Sequence, residues 1–157
     1  MADIVIKKLS GNCGDTVPVN TTITIRNFQS LDFDLNTPIS TMPLPECNDQ
    51  GAILVKGEGN SLTISVSWTL HDQSSSISSD ASISTVNEQI YYWINNIQPD
   101  SIEDSWEITI PGDTSPTWDI VRKGSIRKMS FNKSSNAPTL YEGRIEFQSG
   151  DVVAGEA

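Results

Sequence analysis

Positive charge is scarce in this chain of 157 residues. Ten Lys and Arg side chains stand against 20 Asp and Glu, which gives a formal net charge of −10 at pH 7. A surface of this sign repels phosphate backbones and anionic membranes, so the composition disfavours a protein that grips nucleic acid. The length is that of one domain with one hydrophobic core, and we expect residues 1–157 to form a single domain.

Long apolar runs are also missing. No segment approaches the roughly 18 consecutive apolar residues of a membrane span, and the first residues, Met1 to Ser10, lack the basic start and apolar stretch of a secretion signal. We therefore expect no membrane insertion and no export by that route.

Residues that usually carry chemistry are few. The single histidine, His71, lies beside Asp72, but no nucleophile-elbow motif singles out a serine partner. Metal-binding and phosphate-binding motifs are absent, and we predict no catalytic, metal or cofactor-binding residue. Cys13 and Cys47 lie in turn-rich sequence, where two free thiols, a disulfide and a weak two-ligand metal site all remain open.

The chain is rich in Ser, Thr and Ile, and these residues alternate. In residues 61–70, Leu62, Ile64, Val66, Trp68 and Leu70 alternate with the hydroxyl row Ser61, Thr63, Ser65, Ser67 and Thr69. Near the C-terminus, Tyr141, Ile145 and Phe147 alternate with the charged row Glu142, Arg144 and Glu146. Period-two alternation predicts antiparallel strands with one dry face and one wet face.

One segment has helical periodicity instead. Its apolar residues are Val86, Ile90, Trp93, Ile94 and Ile97, and Thr85 with Glu88 has the form of a capping box. We predict a helix over about 85–98, ended by Pro99, that packs on a sheet because a lone helix of this length is marginal in water. The predicted fold is mostly β: an antiparallel β-sandwich or partly closed barrel with one α-helix on it and long loops.

Residues 29–51 interrupt the strand pattern. The segment contains three prolines, Pro38, Pro43 and Pro45, together with acidic residues that include Asp32, Asp34 and Glu46. Proline is confined to the edges of sheets, so the segment is predicted to be a long loop. Loops of this length in a compact domain are usually binding loops or disordered segments.

The C-terminal third resembles a known family. Gly124-Ser-Ile-Arg-Lys-Met-Ser-Phe131, a short loop, and then Thr139-Leu-Tyr-Glu-Gly-Arg-Ile-Glu-Phe-Gln-Ser-Gly150 are similar to the closing strands of tail tube proteins from tailed viruses of bacteria and archaea. Those proteins often end with a strand "G-x-I-x-x-x-x-F", a loop, and a last strand that finishes "F-x-x-x-G". The size of the chain, its single helix and its extended early loop also resemble that family.

The resemblance implies a non-enzymatic structural virion subunit. Such subunits form rings, usually hexameric, whose inner sheets join edge to edge and which stack into a tube through which viral DNA passes without being bound. It also implies a homo-oligomer that meets other tail proteins, assembled in the host cytoplasm and located in the virion tail. Either polar strand row is then a candidate lumen lining, and residues 29–51 are a candidate ring-to-ring contact.

A second function is open from the residues alone. Four tryptophans occur in the chain, and three of them, Trp68, Trp93 and Trp106, fall on the dry side of their elements. Trp118 is the one expected to be exposed, and a flat exposed ring suits stacking on a sugar. The alternative is therefore a non-enzymatic β-sandwich that binds a glycan or a host surface.

Overall fold

The computed structural model describes residues 3–11, 15–37, 39–43, 52–56, 61–101, 104–112, 115–133 and 141–150. Its strands are β1 (Ile4–Lys8), β2 (Thr22–Ile25), β3 (Phe28–Asn36), β4 (Ile39–Pro43), β5 (Ala52–Lys56), β6 (Ser61–Leu70), β7 (Ser75–Ile77), β8 (Trp106–Ile110), β9 (Ile120–Lys133) and β10 (Tyr141–Ser149). The helical segment consists of α1 (Val86–Tyr92), a π-helical stretch (Trp93–Ile97) and α2 (Gln98–Ser101), and a 3-10 turn covers Pro116–Trp118. The prediction of a mostly β chain with one helix is confirmed.

Eight strands form one antiparallel sheet in the order β3-β6-β10-β9-β8-β1-β2-β7. Strands β6 and β7 are six steps apart in this order, which is about 29 Å in a flat sheet. Yet residues 71–74 alone join them, and the path from Leu70 to Ser75 spans at most about 18 Å. The sheet must therefore curl until β7 lies near the end of β6, which agrees with the predicted partly closed barrel.

The core lies on the concave side of the curled sheet. Alternate residues of the strands are fully buried there, among them Ile4, Ile6, Ile23, Ile25, Ile64, Val66, Trp68, Trp106, Ile108, Ile145 and Phe147. The helix adds Trp93, whose ring centroid lies 5.7 Å from that of Trp68. The alternation read in the sequence therefore separates core from surface in β1, β2, β6, β8 and β10.

The helix begins as predicted and ends later. Thr85 Oγ1 accepts a hydrogen bond from the Glu88 N–H, and the Glu88 carboxylate accepts one from the Thr85 N–H, so the capping box is confirmed. The predicted end at Pro99 is wrong, because the helical segment continues to Ser101. Pro99 lies in the first turn of α2, where its missing N–H is tolerated. None of the described helices is long and apolar enough to cross a bilayer.

Gln89 anchors the helix to the corner between β6 and β7. Its side chain is fully buried and accepts hydrogen bonds from the hydroxyls of Ser74 (2.9 Å) and Ser75 (2.8 Å). Its amide donates to the backbone carbonyls of His71 (3.1 Å) and Ser84 (3.2 Å). The start of the helix is therefore fixed at the C-terminal end of β6.

The loop predicted over residues 29–51 is wrong for most of its described part. Residues Phe28–Asn36 form β3, which pairs with β6, and Ile39–Pro43 form β4, which pairs with β5. Leu31, Phe33 and Leu35 alternate in β3 as in any strand. Pro43 is the last residue of β4 in a two-stranded sheet, a position at the edge that proline allows.

Strand β9 carries the irregularity expected around Gly124. Opposite β10, Phe147 pairs with Ile126 and Glu146 pairs with Lys128, so Arg127 is an extra residue and forms a bulge. The first part of β9 pairs with β8 and the second part with β10. Because a bulge bends its strand, β9 turns from one half of the curled sheet into the other.

Candidate assembly surface

The two polar rows predicted from the sequence lie side by side on one face of the sheet. Strands β6 and β10 are neighbours, and their facing pairs are Thr69 with Glu142, Ser67 with Arg144, and Ser65 with Glu146. Directly opposed residues of an antiparallel pair point to the same side. Ser61, Thr63, Ser65, Ser67 and Thr69 are half-buried, whereas Glu142 and Arg144 are exposed. The two rows thus form a single polar surface.

The neighbouring strands widen this surface. On one side Asp32 and Asp34 of β3 face Ser65 and Thr63, and on the other side Lys128 of β9 faces Glu146. We call the wet side of β3, β6, β10 and the second part of β9 the polar face. Its charged side chains are Asp32, Asp34, Glu142 and Glu146 against Lys128 and Arg144. It is therefore acidic in balance, like the whole chain.

Hydrogen bonds cross the strands of the polar face. Thr63 donates to Gln148 Oε1 at 2.9 Å, and the hydroxyls of Ser30 and Ser67 bond to each other. A shallow concavity of about 310 Å³ lies over β9 and β10, lined by Lys128, Ser130, Arg144 and Glu146. Both cations of this concavity have a carboxylate beside them, so it offers little unbalanced positive charge to an anion.

Two strand edges border the polar face. Strand β3 pairs with β6 alone among the described strands. The part of β9 from Ile126 to Lys133 pairs with β10 on one side, while the pairing of β9 with β8 stops at Gly124. We call the outer side of β3 the acidic edge, for Asp32 and Asp34, and the outer side of 126–133 the basic edge. The basic edge carries Arg127, Lys128 and Lys133, all exposed.

A buried ionic cluster lies at the C-terminal end of β1. Lys8 is 0% exposed, and its Nζ lies 3.2 Å from Asp15, 3.0 Å from Asp100 and 2.9 Å from Asp104. Nζ also donates to the carbonyl of Val17 at 2.7 Å. Nζ lies in hydrogen-bonding geometry to Asp15, to the Val17 carbonyl and to Asp100, and the ion pair with Asp104 Oδ2 is the shortest of the three. The ammonium fills the space between the three carboxylates.

Burial and charge shift the proton affinities in this cluster. Burial lowers the pKa of the Lys8 ammonium, but the surrounding carboxylates outweigh it, so the pKa lies above its ordinary value. Burial raises the pKa of the Asp104 carboxyl above its ordinary value, against the opposing pull of the Lys8 charge. The cluster joins β1, the segment around Val17 and the end of the helix, so its role is to hold these parts together.

Sequence reasoning missed this cluster, although a signal was present. Lys8 follows Ile4 and Ile6 on the dry side of β1, since the strand alternates from buried Ile4 to buried Lys8. A lysine in phase with buried residues calls for buried carboxylates. Asp15 is seven positions away, but Asp100 and Asp104 lie 92 and 96 positions away in the sequence, and no local pattern marks them.

The remaining predicted residues are placed as follows. Asp32 and Asp34 lie in a strand and not in a loop, as does Pro43. Pro38, Pro45, Glu46, Cys13 and Cys47 lie outside the described residues, so the three alternatives for the two cysteines stay as the sequence left them. Trp118 is 71% exposed and the other three tryptophans are fully buried, as expected. His71 is exposed, and its Nδ1 lies 2.8 Å from the backbone carbonyl of Asp72.

No protein-family profile matches the chain, and no curated protein matches it. The solved structures whose fold is similar to this chain include two from gene transfer agent particles. One is the tail of an empty gene transfer agent particle with C6 symmetry, at 12% identity and a TM-score of 0.48 over 85% of both chains. The other is the virion of a native gene transfer agent particle, at 14% identity and a TM-score of 0.48 over 85% of this chain and 88% of that one. A likeness at this level is not a basis for assigning function.

Proposed function

We propose that the protein is a tail tube subunit that closes into rings, and that the rings stack into a conduit for viral DNA. The observation that supports this best is the pair of edges on either side of the polar face. An open edge presents unpaired N–H and C=O groups and is a liability for a monomer. Two compatible edges on one subunit remove that liability when copies join.

Strand direction makes the two edges compatible. Three antiparallel steps lead from β3 through β6 and β10 to β9, so β3 and β9 run in opposite directions. The acidic edge of one subunit placed beside the basic edge of the next therefore makes another antiparallel pair. Such a head-to-tail contact forms a ring when its rotation closes, and the rings of the family that the chain resembles usually contain six subunits.

Charge favours the same pairing. Asp32 and Asp34 lie on the acidic edge, and Arg127 and Lys128 lie on the basic edge. Opposite charges directly across strands contribute roughly 0.2–1 kcal/mol per pair, and like charges oppose pairing. Pairing two acidic edges or two basic edges is disfavoured, so the charges select the head-to-tail arrangement.

In such a ring the polar face lines the lumen. The described residues of this face are hydroxyl-bearing, amide or charged, with acids in excess and no aromatic side chain. DNA held in a protein channel needs unpaired cations for its phosphates and aromatic rings for its bases. A wall with neither lets DNA pass without binding. The subunit acts without catalysis, beside other tail proteins, in a virion assembled in the host cytoplasm.

The test is a charge exchange between the two edges. Asp32→Lys with Asp34→Lys places cations on both edges, and Arg127→Glu with Lys128→Glu places acids on both, so we expect each double variant to lose rings. The chain with all four changes has exchanged edges and is expected to form rings again. Electron microscopy and sedimentation velocity measure the outcome, and Asp72→Lys, an exposed change away from both edges, is the control. Equal ring formation by all variants would contradict the proposal.

One observation supports the alternative, a module that binds a glycan or host surface. Trp118 is 71% exposed on the connection between β8 and β9. A glycan array that gives a signal for a monomeric protein, abolished in Trp118→Ala, favours this alternative. Rings without glycan binding favour the tail tube.

A further inference from the structure

The two sides of the curled sheet differ in charge. Five of the ten Lys and Arg residues lie in β9, and no Asp or Glu lies in that strand. Strand β9 is in the middle of the strand order, whereas β3 and β7 are at its ends. Residues 71–74 bring β7 to the end of β6, and β3 pairs with β6, so the two ends of the order lie together. We call that side the gap side, and the β9 side, which carries the basic edge, lies across from it.

A groove of about 380 Å³ lies on the gap side, along the outer face of the helix. Gln89 fixes the helix there, because its side chain bonds to Ser75 of β7 and to the carbonyl of His71 at the end of β6. Tyr91 is 67% exposed and forms part of the wall. The lining residues are Asp80, Ile83, Asn87, Glu88, Tyr91, Tyr92 and Asn96.

Two carboxylates of the groove are ionised at neutral pH and lack a cation. The hydroxyl and the backbone N–H of Ser82 lower the pKa of Asp80, and the backbone N–H groups of Ser84 and Thr85 lower the pKa of Glu88. Neither carboxylate has an ion-pair partner among the residues that the structure describes. The groove therefore joins an aromatic wall to fixed and unbalanced negative charge.

The β9 side carries an exposed tryptophan that is followed by cations. Trp118 is 71% exposed and Val121 is 45% exposed, and Arg122 and Lys123 are exposed as well. We call these four residues the knob. It combines apolar surface with positive charge, which makes it complementary to the groove in both respects.

The turn that carries Trp118 is held by its own hydrogen bonds. The N–H of Trp118 donates to the carbonyl of Ser115 at 3.1 Å, and the carboxylate of Asp119 accepts from the N–H of Gly112 at 2.7 Å. A Cβ at Gly112 would lie 2.8 Å from the Cβ of Trp118, so glycine permits this close approach. The indole ring projects from a fixed backbone, and its burial at an interface costs little conformational entropy.

We propose that Trp118 of one subunit packs in the groove of a second copy, the next subunit of the same ring. This inference rests on the proposed function, in which the basic edge of one subunit pairs with the acidic edge of the next. That pairing places the β9 side of one copy against the gap side of its neighbour, and the knob and the groove lie on these two sides. Arg122 and Lys123 then meet the two carboxylates of the groove. Tryptophan and arginine are the residues that most often anchor the centre of an interface.

The first test uses the fluorescence of Trp118. The other three tryptophans are fully buried, so the neutral quencher acrylamide acts mainly on Trp118 in the monomer. The quenching constant is expected to fall by about half or more when rings form, because the groove of the neighbour shields the indole ring. Equal quenching in monomer and ring would overturn the inference.

The second test is a double-mutant cycle on ring formation, measured by sedimentation velocity. Trp118→Ala and Tyr91→Ala are each expected to raise the protein concentration needed for rings about tenfold or more. The chain with both changes is expected to need little more than either single variant, because both remove the same contact. Ile94→Ala is the control, since Ile94 is 51% exposed on the helix but does not line the groove. Additive effects of the two changes would contradict a direct contact.

The third test traps the contact. In a chain with Cys13→Ser and Cys47→Ser, the exposed positions beside Trp118 and in the groove are changed together as Thr117→Cys and Asn87→Cys. A short bis-maleimide is expected to give a ladder of covalent oligomers that ends at the number of subunits in the ring, and either cysteine alone is expected to give none. Rings that yield no ladder would overturn the inference and leave the proposed function intact. A wild-type protein that forms no rings would refute the proposed function, and the inference with it.

Discussion

Lys8→Met is expected to remove a large part of the stability of the monomer. The substitution keeps the length and apolar body of the side chain but leaves the carboxylates of Asp100 and Asp104, whose side chains are 7% and 3% exposed, without a cation. Breaking a buried ion pair on one side costs about 3–5 kcal/mol, because the remaining charge stays buried. Since single domains are stable by about 5–15 kcal/mol in total, Lys8→Met is expected to lose about a fifth or more of the free energy of unfolding.

The assay is unfolding in urea at pH 7, under dilute conditions that keep the chain monomeric. Tryptophan fluorescence reports on the cluster, since the ring of buried Trp106 lies 5.9 Å from Lys8 Nζ. Lys7→Met is the matched control, because Lys7 lies on the wet side of the same strand, and surface changes usually stay within about 0.5 kcal/mol. The deficit of Lys8→Met is expected to shrink towards pH 4, where carboxyl groups become neutral. Equal stability of the two variants at pH 7 would refute the role assigned to the cluster.

Three further outcomes follow from the same structure. Burial raises the pKa of Asp104, so the folded state holds that proton more tightly than the unfolded state does. The contribution of Asp104 to stability therefore falls as pH rises from about 4 through the folded pKa. In urea titrations, the free energy of unfolding of Asp104→Asn is expected to rise relative to that of the wild type between pH 4 and pH 8, and a constant difference would contradict this. Gln89→Met leaves the buried hydroxyls of Ser74 and Ser75 without their acceptor, while the carbonyls of His71 and Ser84 keep their bonds from backbone N–H groups. Unfolding is expected to show a loss of about 2–4 kcal/mol, and a change below about 1 kcal/mol would contradict this. In Gly124→Ala the new Cβ would lie 1.9 Å from the carbonyl oxygen of Gln148, so the two strands must separate, and we expect a cost of about 1–3 kcal/mol by urea unfolding that a wild-type midpoint would exclude.

Periodicity predicted the parts of the fold in which burial follows a regular alternation. Residues 61–70 and 139–149 were assigned to strands from their alternation. In the structure Ile64, Val66, Trp68, Leu70, Ile145 and Phe147 are buried, and Leu62 and Tyr141 are partly buried. The capping box placed the start of the helix. The segment 29–51 was misjudged because proline and acidic residues mark strand edges as well as loops. In β3, Phe33 is 46% exposed and Leu35 66% exposed. The apolar residues of this strand are therefore not buried in the core, and their alternation does not reflect burial as it does in β6.

The candidate site was predicted in its residues but not in its arrangement. The hydroxyl row and the charged row were each recognised, yet their union on one face depends on β6 lying beside β10, which no local pattern specifies. The unpaired outer side of residues 126–133 likewise depends on the end of the β8–β9 pairing at Gly124. Lys8 could be recognised from the sequence because it alternates with the buried residues of β1. Its partner Asp100 could not, because that contact depends on where the end of the helix packs against β1. Long-range geometry, rather than residue type, was the missing information.

The position of β9 and β10 near the C-terminus has a consequence for synthesis. Strand β6 and the acidic edge are synthesised before the basic edge and before β10, which joins β6 to β9. A chain still on the ribosome therefore offers one edge without its counterpart. In the proposed ring, the pairing of the two edges has to wait until the basic edge and β10 have been synthesised, which would keep unfinished subunits out of the assembly.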